Sequence, residues 1–196
     1  MSNDLTELKE LVAAIKADHQ AQKEKEKRDA WTKYVSLSMI CLAVLAAIAT
    51  QRGGGYSTAT IKQLNEATFN QSLASDQWSY YQAKGIKQSI TEEERDRLAP
   101  DAPALAAAVA KVKKYEDEKK QISDDAKQLE AKRDTARELA KNYSDRSGGM
   151  GLATSVFQIA IALGGMCLVV KKRWLWQLSL ATGALAILQM IRVLLM

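Results

Sequence analysis

Apolar and charged positions are segregated along this chain. Three runs contain no Asp, Glu, Lys or Arg: residues 34–51, 147–170 and 174–191. A bilayer core about 30 Å thick takes about 20 helical residues to cross. Inside lipid the backbone must satisfy its own polar groups, so each run should be helical. The pattern predicts transmembrane helices over 31–51, 151–170 and 174–196. The first run is short, but Trp31 and Thr32 extend it while Lys33 snorkels to the surface. It begins behind a charged helical segment, which reads as a retained anchor and not a signal peptide.

The charged stretches also read as helix. Residues 4–30 contain no Gly or Pro. Leu5, Leu8, Val12 and Ile15 form one stripe at 3-4-3 spacing, with Asn3 or Asp4 as a cap. The stripe continues only as His19 and Gln22. Such a segment can pack on a partner helix, lie on the inner membrane surface or stay solvated.

Between the first two apolar runs lie residues 52–150. Gly53, Gly54 and Gly55 open this segment; Gly148, Gly149 and Gly151 close it. Gly costs about 1 kcal/mol against Ala in a helix interior, so hinges or breaks are expected there. A helix is expected from Ser57 or Thr58 to about Ile90. Thr91 and Glu94 form a capping-box pattern that restarts a short helix. Pro100 and Pro103 break the chain. A second long helix follows over about 102–146, with Asp101 as cap and Pro103 in its first turn. In it Tyr115, Ile122, Leu129, Ala136 and Tyr143 recur every seven residues. Their companions Lys119, Ala126, Arg133 and Ala140 are only half apolar, so the supercoil seam is weak.

The expected fold is therefore all-α: three transmembrane helices with a long antiparallel, coiled-coil-like helical hairpin between the first and second. It divides into a cytoplasmic charged helix (1–30), the first span (31–51), the hairpin (52–150) and two further spans (151–170, 174–196). A hairpin this long and thin buries little core alone, which points to a homo-oligomer.

Charge gives the spans a direction. Formal net charge is +5, but acids and bases nearly balance along the long segments. That is not a face for nucleic acid. The excess includes the short connector Lys171, Lys172 and Arg173, and short basic loops stay in the cytoplasm. The cluster Lys23, Lys25, Lys27, Arg28 and Lys33 agrees. So do Trp31, Tyr34, Trp174 and Trp176 at the inner membrane edge. The N-terminus is then cytoplasmic and residues 52–150 are extracytoplasmic.

Recognisable reaction chemistry is missing from the pattern. His19 has no partner at ligand spacing, and Cys41 and Cys167 sit apart in apolar runs. There is no phosphate loop and no activated nucleophile. The expectation is no enzyme, no cofactor and no metal. Within the spans, Gln158 and Gln189 fall at matching depth, about 9 Å below the outer surface at the helical rise, and could bond between helices. Ser179 and Gly183, with Ala160 and Gly164, give small faces for close approach.

Residues 65–87 stand out as amide-rich, aromatic and poor in charge. The candidate interaction residues are Phe69, Asn70, Gln71, Asp76, Gln77, Trp78, Tyr80, Tyr81 and Lys84. Buried Trp and Tyr need their N–H or O–H satisfied, and the local amides could do that. The segment reads as a contact layer between helices or subunits, or as a surface for a separate protein partner. Asn70 with Gln71, the run Ala74, Ser75, Asp76, Gln77, Trp78, the run Tyr80 to Lys84, and Ile86 with Lys87 resemble an uncharacterised bacterial membrane-protein family, domain-of-unknown-function family 4337. The resemblance covers nearly the whole chain. It implies a multi-pass protein of a bacterial inner membrane, with membrane lipid as a partner, and brings no activity, cofactor or catalytic residue. Gly85 stands where a small polar residue is expected. A cysteine placed beside Glu118 should react with an impermeant thiol reagent on intact cells. Labelling only after lysis would reverse the orientation.

Overall fold

The computed structural model describes the backbone of residues 2–100 and 102–196, and side chains of 10–26, 30–100 and 102–196. The expected caps at Asn3, Asp4 and Asp101, the stripe positions Leu5 and Leu8, and Lys27 and Arg28 have side chains outside the described residues. The chain folds into three helices: α1 (Ser2–Asp96), α2 (Pro103–Val170) and α3 (Arg173–Leu195). No strand occurs among the described residues. All three helices are long and apolar enough to cross a membrane, by length and composition.

Their ends follow from the sequence. α1 stops at Asp96, just before Pro100. A tight turn follows, with Leu98 N–H donating to Arg95 O (3.1 Å) and Ala102 N–H to Ala99 O (3.0 Å). Pro103 opens α2, where its fixed φ suits the first turn and its missing N–H leaves no bond unmade. α2 ends when Lys171 turns left-handed (φ 57°). Its N–H still reaches Cys167 O at 2.8 Å, a helix-terminating geometry usually given to Gly. Lys172 is extended and Arg173 already begins α3. The connector is thus two residues, not the three read from the basic run.

The expected interruptions do not form. α1 runs unbroken through Gly53, Gly54 and Gly55, and α2 through Gly148, Gly149 and Gly151. Nor does a helix restart at Thr91. The Thr91 hydroxyl donates back to Lys87 O at 2.9 Å, inside α1. At Gly53 and Gly149 the physical reason is close packing, while a Cβ at Gly54, Gly55, Gly148 or Gly151 would meet nothing within 4 Å. A Cβ on Gly149 would stand 2.5 Å from Val193 Cγ2, and one on Gly53 would stand 3.2 Å from Met150 Cβ. These glycines make room for neighbours, and tertiary contact outweighs their poor propensity.

Contacts divide the chain into two compact units, residues 1–54 with 146–196, and residues 55–145. In the first, α2 buries Met150, Ala153, Phe157, Ala160, Gly164 and Cys167. The spacing is 3-4-3-4-3, so one stripe of mostly small side chains faces inward. α1 meets it with Val35, Leu42, Ala46 and Ala49, and α3 with Leu175, Ser179, Gly183, Ala186 and Val193. Several hydroxyls tie the helices together, among them Ser179 and Ser38. Ser179 Oγ donates to Ala160 O at 2.7 Å, and Trp176 Nε1 donates to Ser38 Oγ at 3.1 Å.

In the second unit α1 and α2 run antiparallel. Partner numbers fall on one helix as they rise on the other: Tyr56 with Tyr143, Gln71 with Arg133, Trp78 with Glu130, Lys84 with Glu118. α1 buries Ala67, Asn70, Ala74 and Thr91; α2 buries Val112, Ile122, Ala126, Ala136 and Ala140. Half-buried Tyr115, Lys119, Leu129, Arg133 and Tyr143 complete the α2 face. Both seven-residue series therefore lie inward, the half-polar companions included.

Candidate interaction site

The aromatic and amide segment sits midway along α1 of the second unit. Its helix turns the candidate residues to different sides. Asn70 is buried, Gln71, Gln77, Trp78, Tyr81 and Lys84 are half-buried, and Phe69, Asp76 and Tyr80 are exposed.

The inward group makes a ladder to α2. Arg133 donates through Nη1 to Gln71 Oε1 at 2.8 Å. Trp78 Nε1 donates to Glu130 Oε1 at 2.9 Å. Lys84 Nζ donates to Glu118 Oε2 at 2.6 Å. Asn70 turns back along its own helix, donating to Glu66 O at 2.9 Å and Glu66 Oε1 at 3.2 Å. The expected source of satisfaction was the local amides. For Trp78 it is instead an acid from α2. A carboxylate gives a buried indole N–H a stronger acceptor than a neutral amide does.

Cations and rings alternate beside the ladder. Lys84 Nζ lies 5.2 Å from the Tyr80 ring centre and 5.6 Å from that of Tyr115. Lys119 Nζ lies 4.8 Å over Tyr81, and Trp78 meets Tyr81 edge to face at 5.5 Å. A Cβ on Gly85 would stand 3.7 Å from Lys119 Nζ, an ordinary contact, so the space there does not demand glycine. Each cation thus holds an aromatic face while its stem fills the space between helices. Glu118, Glu130, Lys119, Arg133 and Tyr115 were not picked out as site residues from the sequence. The available signal was the seven-residue register, which places Tyr115, Lys119 and Arg133 on the inner face.

Electrostatics follow the ladder. The hydrogen bond from Lys84 holds the Glu118 carboxyl below its ordinary range, with Lys114 and Lys87 adding smaller attractions. The same bond raises Lys84, helped by Tyr80. Arg133 likewise lowers Asp134, its immediate neighbour. No group of three or more His, Cys, Asp or Glu among the described residues could hold a metal ion.

The candidates in the apolar runs separate as well. Ser179 bonds across to Ala160, and a Cβ on Gly183 would stand 2.6 Å from Leu42 Cδ2. Gln158 is exposed. Gln189 Nε2 stands 3.7 Å from where a Cβ on Gly149 would be. Gly149 precedes Gln158 by nine residues, roughly 13 Å along a helix. The two amides are therefore not level, and the expected bond between them does not form. Packing, not distance from the ends of the uncharged runs, sets the register of the two helices.

Helices of these lengths, packed through small residues and carrying three apolar runs, define an all-helical protein with the capacity to span a membrane. The family described as Domain of unknown function (DUF4337) matches residues 31–196. The chain belongs to that family. Comparison with the curated proteins gives no match, and neither does comparison with the solved structures.

The Lys84–Glu118 pair predicts a pH window. Glu118 has a lowered folded pKa, so its contribution is full above the ordinary value of 4.5 and is lost as pH falls through the lowered one. Lys84 has a raised folded pKa, so its contribution is full below 10.5 and is lost as pH rises through the raised one. Unfolding of the whole chain in detergent, followed against pH, should show Glu118→Gln flattening the acid-side fall. An unchanged acid limb would show that the pair contributes nothing.

Proposed function

We propose that the chain is a non-enzymatic, membrane-anchored protein that self-associates and acts as a scaffold or accessory subunit. Its uncharged runs span the inner membrane of a bacterium in the order in–out, out–in, in–out. Residues 52–150 form an extracytoplasmic antiparallel hairpin of coiled-coil type.

The first support is what the uncharged runs leave outside. Leu37, Ile40, Val44 and Ile48 on α1, Leu152, Ile159, Met166 and Val169 on α2, and Leu185 and Leu188 on α3 are all exposed. So broad an apolar surface suits lipid, not water. At the inner edge Arg173 lies over the Trp31 ring, 5.8 Å from its centre. That pairing suits a charged headgroup boundary.

The observation that carries self-association is the outward side of the aromatic segment. The inward ladder uses Gln71, Trp78 and Lys84. Phe69 (60% exposed), Tyr80 (50%), Ile86 (63%) and Ile90 (53%) remain uncovered within the chain. A second copy would bury them, and a separate protein partner is the other occupant.

A homo-oligomeric channel or transport component is the second reading. Gln158 favours it, because it is exposed on an apolar run, where an amide facing lipid is costly. A neighbouring copy or an aqueous path would relieve that cost. Thr154, Ser155 and Ser179 lend it less support, because their hydroxyls are bonded to Met150 O, Gly151 O and Ala160 O.

The mass of the protein part of detergent-solubilised material should correspond to more than one chain. A well-folded strict monomer would overturn self-association and with it the channel. For an oligomer, silence in planar bilayers under voltage, tension and ion gradients leaves the scaffold reading; steady conductance selects the channel.

A further inference from the structure

The first part of α1 carries an apolar stripe with no cover. Every described residue from 10 to 26 is exposed, among them Leu11, Val12 and Ile15. This stretch continues as unbroken helix into the uncharged run 34–51. Sharp helix bends come from Pro, from Gly or Ser pairs or from bulges, and residues 4–34 contain neither Pro, Gly nor Ser. A helix entering the bilayer without a bend cannot also lie flat on its surface. The stripe needs a partner that runs alongside it.

We propose that this segment pairs in parallel and in register with the same segment of a second copy. The proposal deepens the self-association reading and rests on it. Its distinguishing argument is charge. In the seven-residue register the seam is Leu5, Leu8, Val12, Ile15, His19 and Gln22. One flank of that seam carries Lys9, Lys16 and Lys23; the other carries Asp4, Leu11, Asp18 and Lys25. Parallel pairing sets each residue of the second flank against the first-flank residue five positions on in the other copy. Asp18 then faces Lys23. Leu11 can cover the Lys16 stem, and Lys25 meets the neutral Ala30. No like charges oppose between the two flanks.

Antiparallel pairing does the reverse and sets the lysine flank against itself. Copies inserted in one direction can meet only in parallel, so charge and topology agree. His19 and Gln22 are polar seam positions, which fix register at some cost in stability. Glu26 falls at the next seam position and opposes its own copy there, which closes the seam before the apolar run begins. A stripe this short would not hold free peptides together. Anchored copies in one membrane meet at a raised effective concentration.

The test uses single cysteines in the full chain with Cys41→Ala; Cys167 is buried and can stay. Under mild oxidation in membranes, cysteines at Val12, Ile15 and His19 should form dimers several-fold faster than cysteines at Ala13, Ala17 and Ala21. Adding Lys23→Asp to the Ile15 cysteine variant should slow its dimerisation. Adding Asp18→Lys as well should restore it, because the attraction is rebuilt with its signs exchanged. Uniform rates, or rates highest at Ala13, Ala17 and Ala21, in a protein whose mass shows an oligomer would overturn this pairing alone. A monomer by mass would overturn the pairing together with the self-association beneath it. Failure of the charge exchange to restore the rate would reject the parallel flank contacts.

Discussion

Close approach of helix backbones is the constraint on which this structure depends. In the unit containing the apolar runs, the inward stripe of α2 is built mainly from Ala, Gly and Cys, with Phe157 and Met150 as its large members. Gly164 takes Met39 and Ser179 against its bare Cα, and Gly183 takes Leu42. In the membrane setting proposed above, such helices gain little from hiding more apolar surface. They associate through dispersion across close contacts and through occasional hydrogen bonds. Ser179 to Ala160 is such a bond, and it is buried.

The unit formed by residues 55–145 solves the same problem in a different way. Its seam also has small residues, at Ala67, Ala74, Ala126, Ala136 and Ala140. Between them stand long polar side chains whose stems fill the gap and whose heads find partners. An antiparallel pair built only on alanines could slip along its axis. Trp78 on Glu130, Lys84 on Glu118 and Arg133 on Gln71 each fix one register. A single polar contact of this kind adds only modest net stability, so the main service of the three is alignment. Spending the polar groups inward is also what leaves Phe69, Tyr80 and Ile86 outside.

Much of the all-helical architecture was legible because it depends on periodicity. Uncharged runs marked the apolar helices, prolines marked the turn between α1 and α2, and the seven-residue recurrence of Tyr115, Ile122 and Leu129 marked the inner face of α2. Gly53 and Gly149 misled, because propensity is local while their role is set by Met150 and Val193, which are distant in sequence. The candidate segment was found by its composition. Its division into inward Trp78 and Lys84 and outward Phe69 and Asp76 was not, since that needs the partner helix. Glu130 and Glu118 looked like members of a solvated charge run, and one sequence cannot say which of many acids faces an indole. The Gln158–Gln189 pairing failed because depth was counted from run ends instead of from packing.

One pair of identical substitutions tests the role of close approach directly. In a helix interior, Gly→Ala ordinarily gains about 1 kcal/mol. A Cβ added at Gly54 would meet nothing within 4 Å, so Gly54→Ala should raise the thermal stability of the whole chain in detergent. At Gly164 the added carbon would stand 2.8 Å from Met39 Cγ and 3.2 Å from Ser179 Oγ, which is itself held by Ala160 O. Overpacking of this kind costs about 1–3 kcal/mol, so Gly164→Ala should lower that stability. If Gly164→Ala stabilises as much as Gly54→Ala does, the helices do not depend on close approach and the account is wrong.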